Sequence, residues 1–97
     1  MSIALHPLAE EELWDAVQYY ANVSAITANA FYEQYLHTRR LILTAPQLYP
    51  VVRSPDIRKH VMQQFPYSVV YRTTADDTQI LALAHHKRRP FYWAQRL

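Results

Sequence analysis

The sequence predicts an α+β domain with the element order β-α-α-β-β-β, and three observations predict it. Apolar residues recur twice at helical spacing in the first half, with only Asn22-Val23 separating the two runs. Beyond Pro46 the period changes to the alternation of strands. The prolines at positions 7, 46, 50, 55, 66 and 90 fall at the borders of these runs, where a missing N–H does least harm.

Ser2 to His6 alternate weakly and read as a short strand or extended lead-in. Pro7 suits the first turn of a helix, because its absent N–H would have found no intrahelical partner there. Glu10, Glu11 and Glu12 follow, near the positive end of the helix dipole. Leu13, Val17 and Tyr20 continue the helical spacing, giving a helix over Leu8–Ala21. Ser24 is a good N-cap for a second helix over Ala25–Ala45, whose Ala28, Phe31, Tyr35 and Ile42 share a face and which Pro46 ends. So short a break favours an antiparallel helical hairpin, and the acidic first helix is expected to pair with Arg39 and Arg40 of the second.

The second half reads as a meander. Val51–Ser54 is extended between two prolines, Ile57–Gln64 alternates loosely, and Tyr67–Thr73 places Tyr67, Val69 and Tyr71 on one face. Asp76-Asp77 turns the chain, and Ile80–Ala84 is continuously apolar, as a strand buried on both faces should be. Phe91–Leu97 forms an aromatic tail with room for one helical turn.

Length and composition set limits. Ninety-seven residues form one domain, 1–97, and a chain of this size buries only about 60–65% of its unfolded surface. With no cysteine there is no disulfide, thiolate metal site or cysteine nucleophile. With no glycine there is no Walker loop, Rossmann fingerprint or glycine-built nucleophile elbow, and no cofactor is expected. No apolar run is long enough for a membrane span, and the first residues lack the pattern of a signal peptide, so a cytoplasmic protein is expected. Charge divides unevenly. Residues 1–49 carry two arginines against five carboxylates, a net −3, whereas residues 50–97 carry eight cations against three, a net +5. A basic C-terminal half points to an anionic partner, either nucleic acid or an acidic protein segment.

Taken in order, Arg58, Phe65-Pro66-Tyr67, Val70-Tyr71, Ala84-His85-His86-Lys87-Arg88-Arg89-Pro90, and Tyr92-Trp93 with Arg96 resemble the RelE/ParE superfamily of bacterial toxins. His6-Pro7, Ala9, Tyr19-Tyr20, Phe31 and Pro46 agree with it in the first half, so the resemblance spans nearly the whole chain. It implies a toxin encoded beside an antitoxin, of the plasmid stabilisation type. The implied fold is an N-terminal strand and helical hairpin packed on a small twisted antiparallel sheet. The antitoxin would neutralise the toxin by wrapping a segment over the hairpin and sheet edge, and operator DNA would be bound only through it.

Two activities occur in the superfamily: RelE-like members cleave mRNA on the ribosome, and ParE-like members poison DNA gyrase. Metal-free RNA cleavage needs a group to help the 2′-hydroxyl attack, cations on the phosphate and an acid for the leaving oxygen. By position, Lys59, Arg88 or Arg89, and Tyr92 match the nuclease residues. Where the nucleases carry an arginine after the strand's leading tyrosine, this chain has Ser68, and Val61 and Gln63 replace cations of the neighbouring strand. A hydroxyl cannot neutralise a phosphate. The ParE-like branch is therefore favoured, with the endoribonuclease as alternative and an inactive antitoxin-binding module as a further one.

For target or antitoxin binding the candidates are Arg58, Lys87, Arg88, Arg89, Tyr92, Trp93 and Arg96. Arg88 and Arg89 are adjacent, so only one is expected to point into a site. Tyr92 and Trp93 beside arginines have the composition of a binding hot spot or base-stacking platform, although Trp93 also suits packing on the sheet. His85 and His86 resemble a metal pair, but neighbours on a strand face opposite ways, so no metal is expected.

Overall fold

A computed structural model describes residues 3–97. The order is β1 (Ile3–Leu5), α1 (Pro7–Ala21), α2 (Ala25–Thr44), β2 (Val51–Arg53), β3 (Ile57–Val61), β4 (Tyr67–Thr73), β5 (Thr78–His85) and a C-terminal 3-10 helix (Tyr92–Arg96). The Ser2 end of the expected first strand lies outside the described residues. The expected extension of β3 to Gln64 is not formed, because the chain turns after Val61 to reach β4.

Local chemistry sets the helix borders. Pro7 occupies the first turn of α1, and His6 caps it, its Nδ1 accepting from the Leu8 N–H at 3.1 Å. Ser24 caps α2, its Oγ accepting from Thr27 N–H at 3.0 Å. Ala45 closes α2 immediately before Pro46.

The sheet order is β1-β5-β4-β3-β2. From β5 through β2 it is antiparallel, as expected, while β1 adds to the outer edge of β5 in parallel, Ile3 opposite Thr78 and Leu5 opposite Ile80. Parallel addition follows from the connections: the meander reverses the chain at each turn, and the helical hairpin returns it so that β1 and β5 run the same way.

Each face of the sheet has its own core. On the helix face Leu13, Ala16, Phe31 and Ile42 meet Val69, Tyr71, Ile80 and Leu83. Phe31 is fully buried and packs against Tyr20, Phe65 and Tyr67 with ring centroids 5.2 Å apart, contacts worth about 0.5–1.5 kcal/mol each beyond area burial. On the far face Trp93 covers Ile57, Val70, Leu81 and Ala82. A β-bulge makes this second core. Val70 pairs with Ala82 but Tyr71 with Ile80, so Leu81 is the extra residue and lies with Ala82 on the far face.

Helix α1 does not pair with Arg39 and Arg40. Among the described residues its ion pairs run from Glu12 to Arg96 and Arg88.

Candidate functional site

The site begins where β1 ends. His6 N–H donates to Ile80 C=O, and the chain then turns into α1, leaving the outer edge of β5 from Leu81 onward without a strand. Open edges need partners for their backbone groups. Side chains supply them here. Glu12 Oε1 accepts from Leu83 N–H at 3.0 Å, and Arg96 Nη1 donates to Leu81 C=O at 2.9 Å.

Glu12 is the hub of this arrangement. Arg96 grips it with both Nη atoms, at 2.8 and 2.9 Å, and the Tyr92 hydroxyl donates to its Oε2 at 2.6 Å. The Arg96 side chain is only 9% exposed, so both charges are largely removed from water and neutralise each other. Its hydrogen bond to Glu12 holds the Arg96 guanidinium above its ordinary range. Burial, reinforced by the Glu12 carboxylate, pushes the Tyr92 hydroxyl well above the usual phenol value. The Arg88 guanidinium lies 3.9 Å from the centroid of the Tyr92 ring and 3.9 Å from Glu12 Oε2, with 54% of its side chain exposed.

Two grooves flank this cluster, and both are lined by His85 and Arg88. The first, about 410 Å³, lies on the far face of the sheet and brings together Lys59, Arg88, Arg89, Tyr92 and Trp93. Its inner part holds Ser68, buried and 3.0 Å from His86 Nε2 through Oγ. The position where the nucleases place a cation thus carries a hydroxyl paired to an imidazole. The second groove, about 470 Å³, runs between α1 and the end of β5, with Glu12 and Asp15 on one wall and Lys87 and Arg88 on the other.

The sequence candidates therefore divide. Lys59, Arg88, Arg89 and Tyr92 meet in the first groove, both arginines lining it although they are neighbours, and Lys87 lines the second. Trp93 is packed, only 4% exposed. Arg96 turns inward to Glu12. Arg58 stands apart from both grooves and donates to the Gln47 and Tyr49 carbonyls at 3.0 and 2.7 Å, tying the segment after α2 to β3. Both histidines line the first groove but meet different partners. His85 packs edge-on against Tyr67, and burial, then the charges of Lys87 and His86, lowers its pKa, while His86 faces Ser68. No group of three metal-ligating side chains occurs among the described residues. Sequence reasoning missed Glu12, whose only signal was its place in a run of three glutamates.

An antiparallel meander with a helical hairpin on one face is the topology of the RelE/ParE-like fold class. Residues 3–90 match the model of the family described as ParE toxin of type II toxin–antitoxin system, parDE, and the chain belongs to that family. A solved structure described as the chromosomal ParDE TA system from P. aeruginosa is similar over 88% of this chain and 95% of that one, at 16% identity and a TM-score of 0.64, a likeness of fold. No curated protein matches the chain. The chain is thus the toxin component of a toxin–antitoxin system, for which a cognate antitoxin is the natural partner. No helix among the described residues is long and apolar enough to cross a membrane.

Proposed function

We propose that this toxin acts in the cytoplasm as a protein-binding poison of DNA gyrase, held in check by its antitoxin, and that it is not a nuclease. The observation that carries this reading is the state of Tyr92. A tyrosine acting at a scissile phosphate must aim its hydroxyl at the substrate. Here the hydroxyl of a groove-lining tyrosine is already committed, donating to Glu12 Oε2 at the outer edge of β5 with Leu83 C=O beside it. Ser68, bonded to His86, supplies no charge for a phosphate. Arg88, Arg89, Lys87 and the Tyr92 ring then serve as contact surface, to which Arg and Tyr are suited. The competing reading, ribosome-dependent mRNA cleavage, draws on the convergence of Lys59, Arg88, Arg89 and His86 in one groove.

The test uses the purified chain with gyrase and relaxed plasmid, and in parallel with translating ribosomes and a defined mRNA. Loss of supercoiling at toxin concentrations comparable to gyrase, with the mRNA intact, is the expected result. Codon-dependent cleavage of the mRNA with supercoiling unaffected would overturn the proposal.

A further inference from the structure

Stability alone does not explain the chemistry gathered at Glu12. Capping the β5 edge needs only an acceptor for Leu83 N–H and a donor for Leu81 C=O, which neutral side chains provide without removing two charges from water. The arrangement does more than cap. It takes the Tyr92 hydroxyl at 2.6 Å, and with it the orientation of a ring that carries Arg88 on its face.

Arg88 sits in the turn after β5, where its backbone N–H donates to His85 C=O. Its side chain projects from the ridge between the two grooves, with exposed Lys87 and Arg89 beside it and exposed Phe91 nearby. An exposed arginine in a turn ordinarily samples many rotamers, and fixing it on binding costs affinity. Stacked on a ring that is itself fixed, and drawn toward Oε2, the guanidinium is held in place before any partner arrives. A planar guanidinium fixed by its face leaves its edge to a carboxylate, the group whose geometry it matches.

We propose that Glu12 is the positioning residue of the toxin's contact surface: by fixing Tyr92 it presents Arg88, at the ridge between the grooves, to a carboxylate on the protein target. The identity of that target as gyrase rests on the function proposed above. The role of Glu12 does not.

A double-mutant cycle separates positioning from mere support. Glu12→Gln and Arg88→Ala are made singly and together, and read as affinity for the isolated gyrase subunits and as growth arrest on induction. Glu12→Gln should weaken both by about tenfold in the presence of Arg88 and by less than twofold in the Arg88→Ala background. Tyr92→Phe, which keeps the ring and loses the hydroxyl's bonds to Glu12 and, at 3.5 Å, to Leu83 C=O, should weaken both several-fold with the same dependence on Arg88, and as a near-isosteric change it keeps the fold. Equal losses in both backgrounds, or no loss from either Glu12→Gln or Tyr92→Phe, would overturn the proposal. A wild-type chain that arrests growth without binding gyrase removes the gyrase reading, and the growth-arrest cycle then decides on Glu12 by the same criteria.

Discussion

Glu12 and Arg96 are 84 residues apart in the chain, and Glu12 and Tyr92 are 80 apart. That separation is why the hub of the site was invisible in the sequence, where Glu12 reads as one of three carboxylates near a helix N-terminus. Only the fold shows that Glu12 turns toward the β5 edge while Glu10 and Glu11 remain exposed. Removing the carboxylate leaves a buried guanidinium without its partner, so Glu12→Ala should destabilise the domain by about 3–5 kcal/mol, read from urea unfolding. A cost below about 1 kcal/mol would mean that the pair is effectively solvated. The tyrosines of the helix face bear on alkaline stability. Burial raises Tyr67 and Tyr71 to about 12 from the ordinary 10.0. Below about pH 10 both are neutral in the folded and unfolded chain; between about 10 and 12 only the unfolded chain ionises them, and stability falls. The urea midpoint should therefore drop between about pH 10 and 12, and drop less in Tyr71→Phe. An identical drop in the variant would remove Tyr71 from the explanation. At neutral pH the same variant loses the 2.6 Å hydrogen bond to Pro46 C=O, at a cost of about 1–2 kcal/mol.

At the scale of elements, much was legible because the signals are local. Ser24 marks the start of α2, Pro46 marks its end, and Tyr67 and Tyr71 share the helix-facing side of β4, as their spacing implied. What was not legible depends on pairing. The apolar run Ile80–Ala84 suggests a strand buried on both faces but cannot show that Leu81 is bulged, nor that the bulge builds the second core. Parallel addition of β1 is likewise a property of connectivity rather than of the first residues. The C-terminal segment reads as an aromatic tail, and its role as the cover of the far face rests on Trp93. Trp93→Ala should open the floor of Ile57, Val70 and Leu81 and cost about 3–5 kcal/mol. Calorimetry and binding of an apolar dye measure this; an unchanged melting temperature would show that the segment covers nothing of consequence. Ser24→Ala provides a smaller reference, about 1 kcal/mol for a lost cap.

Over the whole molecule, charge and topology act together. The acidic first half and basic second half meet along α1 and the end of β5, where Glu12 neutralises Arg96 and leaves Arg88, Arg89 and Lys87 at the surface. The basic half is therefore not a uniform field: Arg58 and Arg96 are consumed by structure, Arg72 pairs with Asp56, and Lys87, Arg88 and Arg89 stand at a ridge between two grooves. Such a ridge favours fast, salt-sensitive association with an acidic surface. On the proposed function, this surface binds a protein target and cuts no RNA. This is tested most directly by inducing the chain alone in bacteria while following DNA-damage signalling and transcript integrity in the same cells. Growth arrest with damage signalling and intact transcripts is the expected result. Transcripts cut at ribosome-occupied codons, without damage signalling, would contradict it.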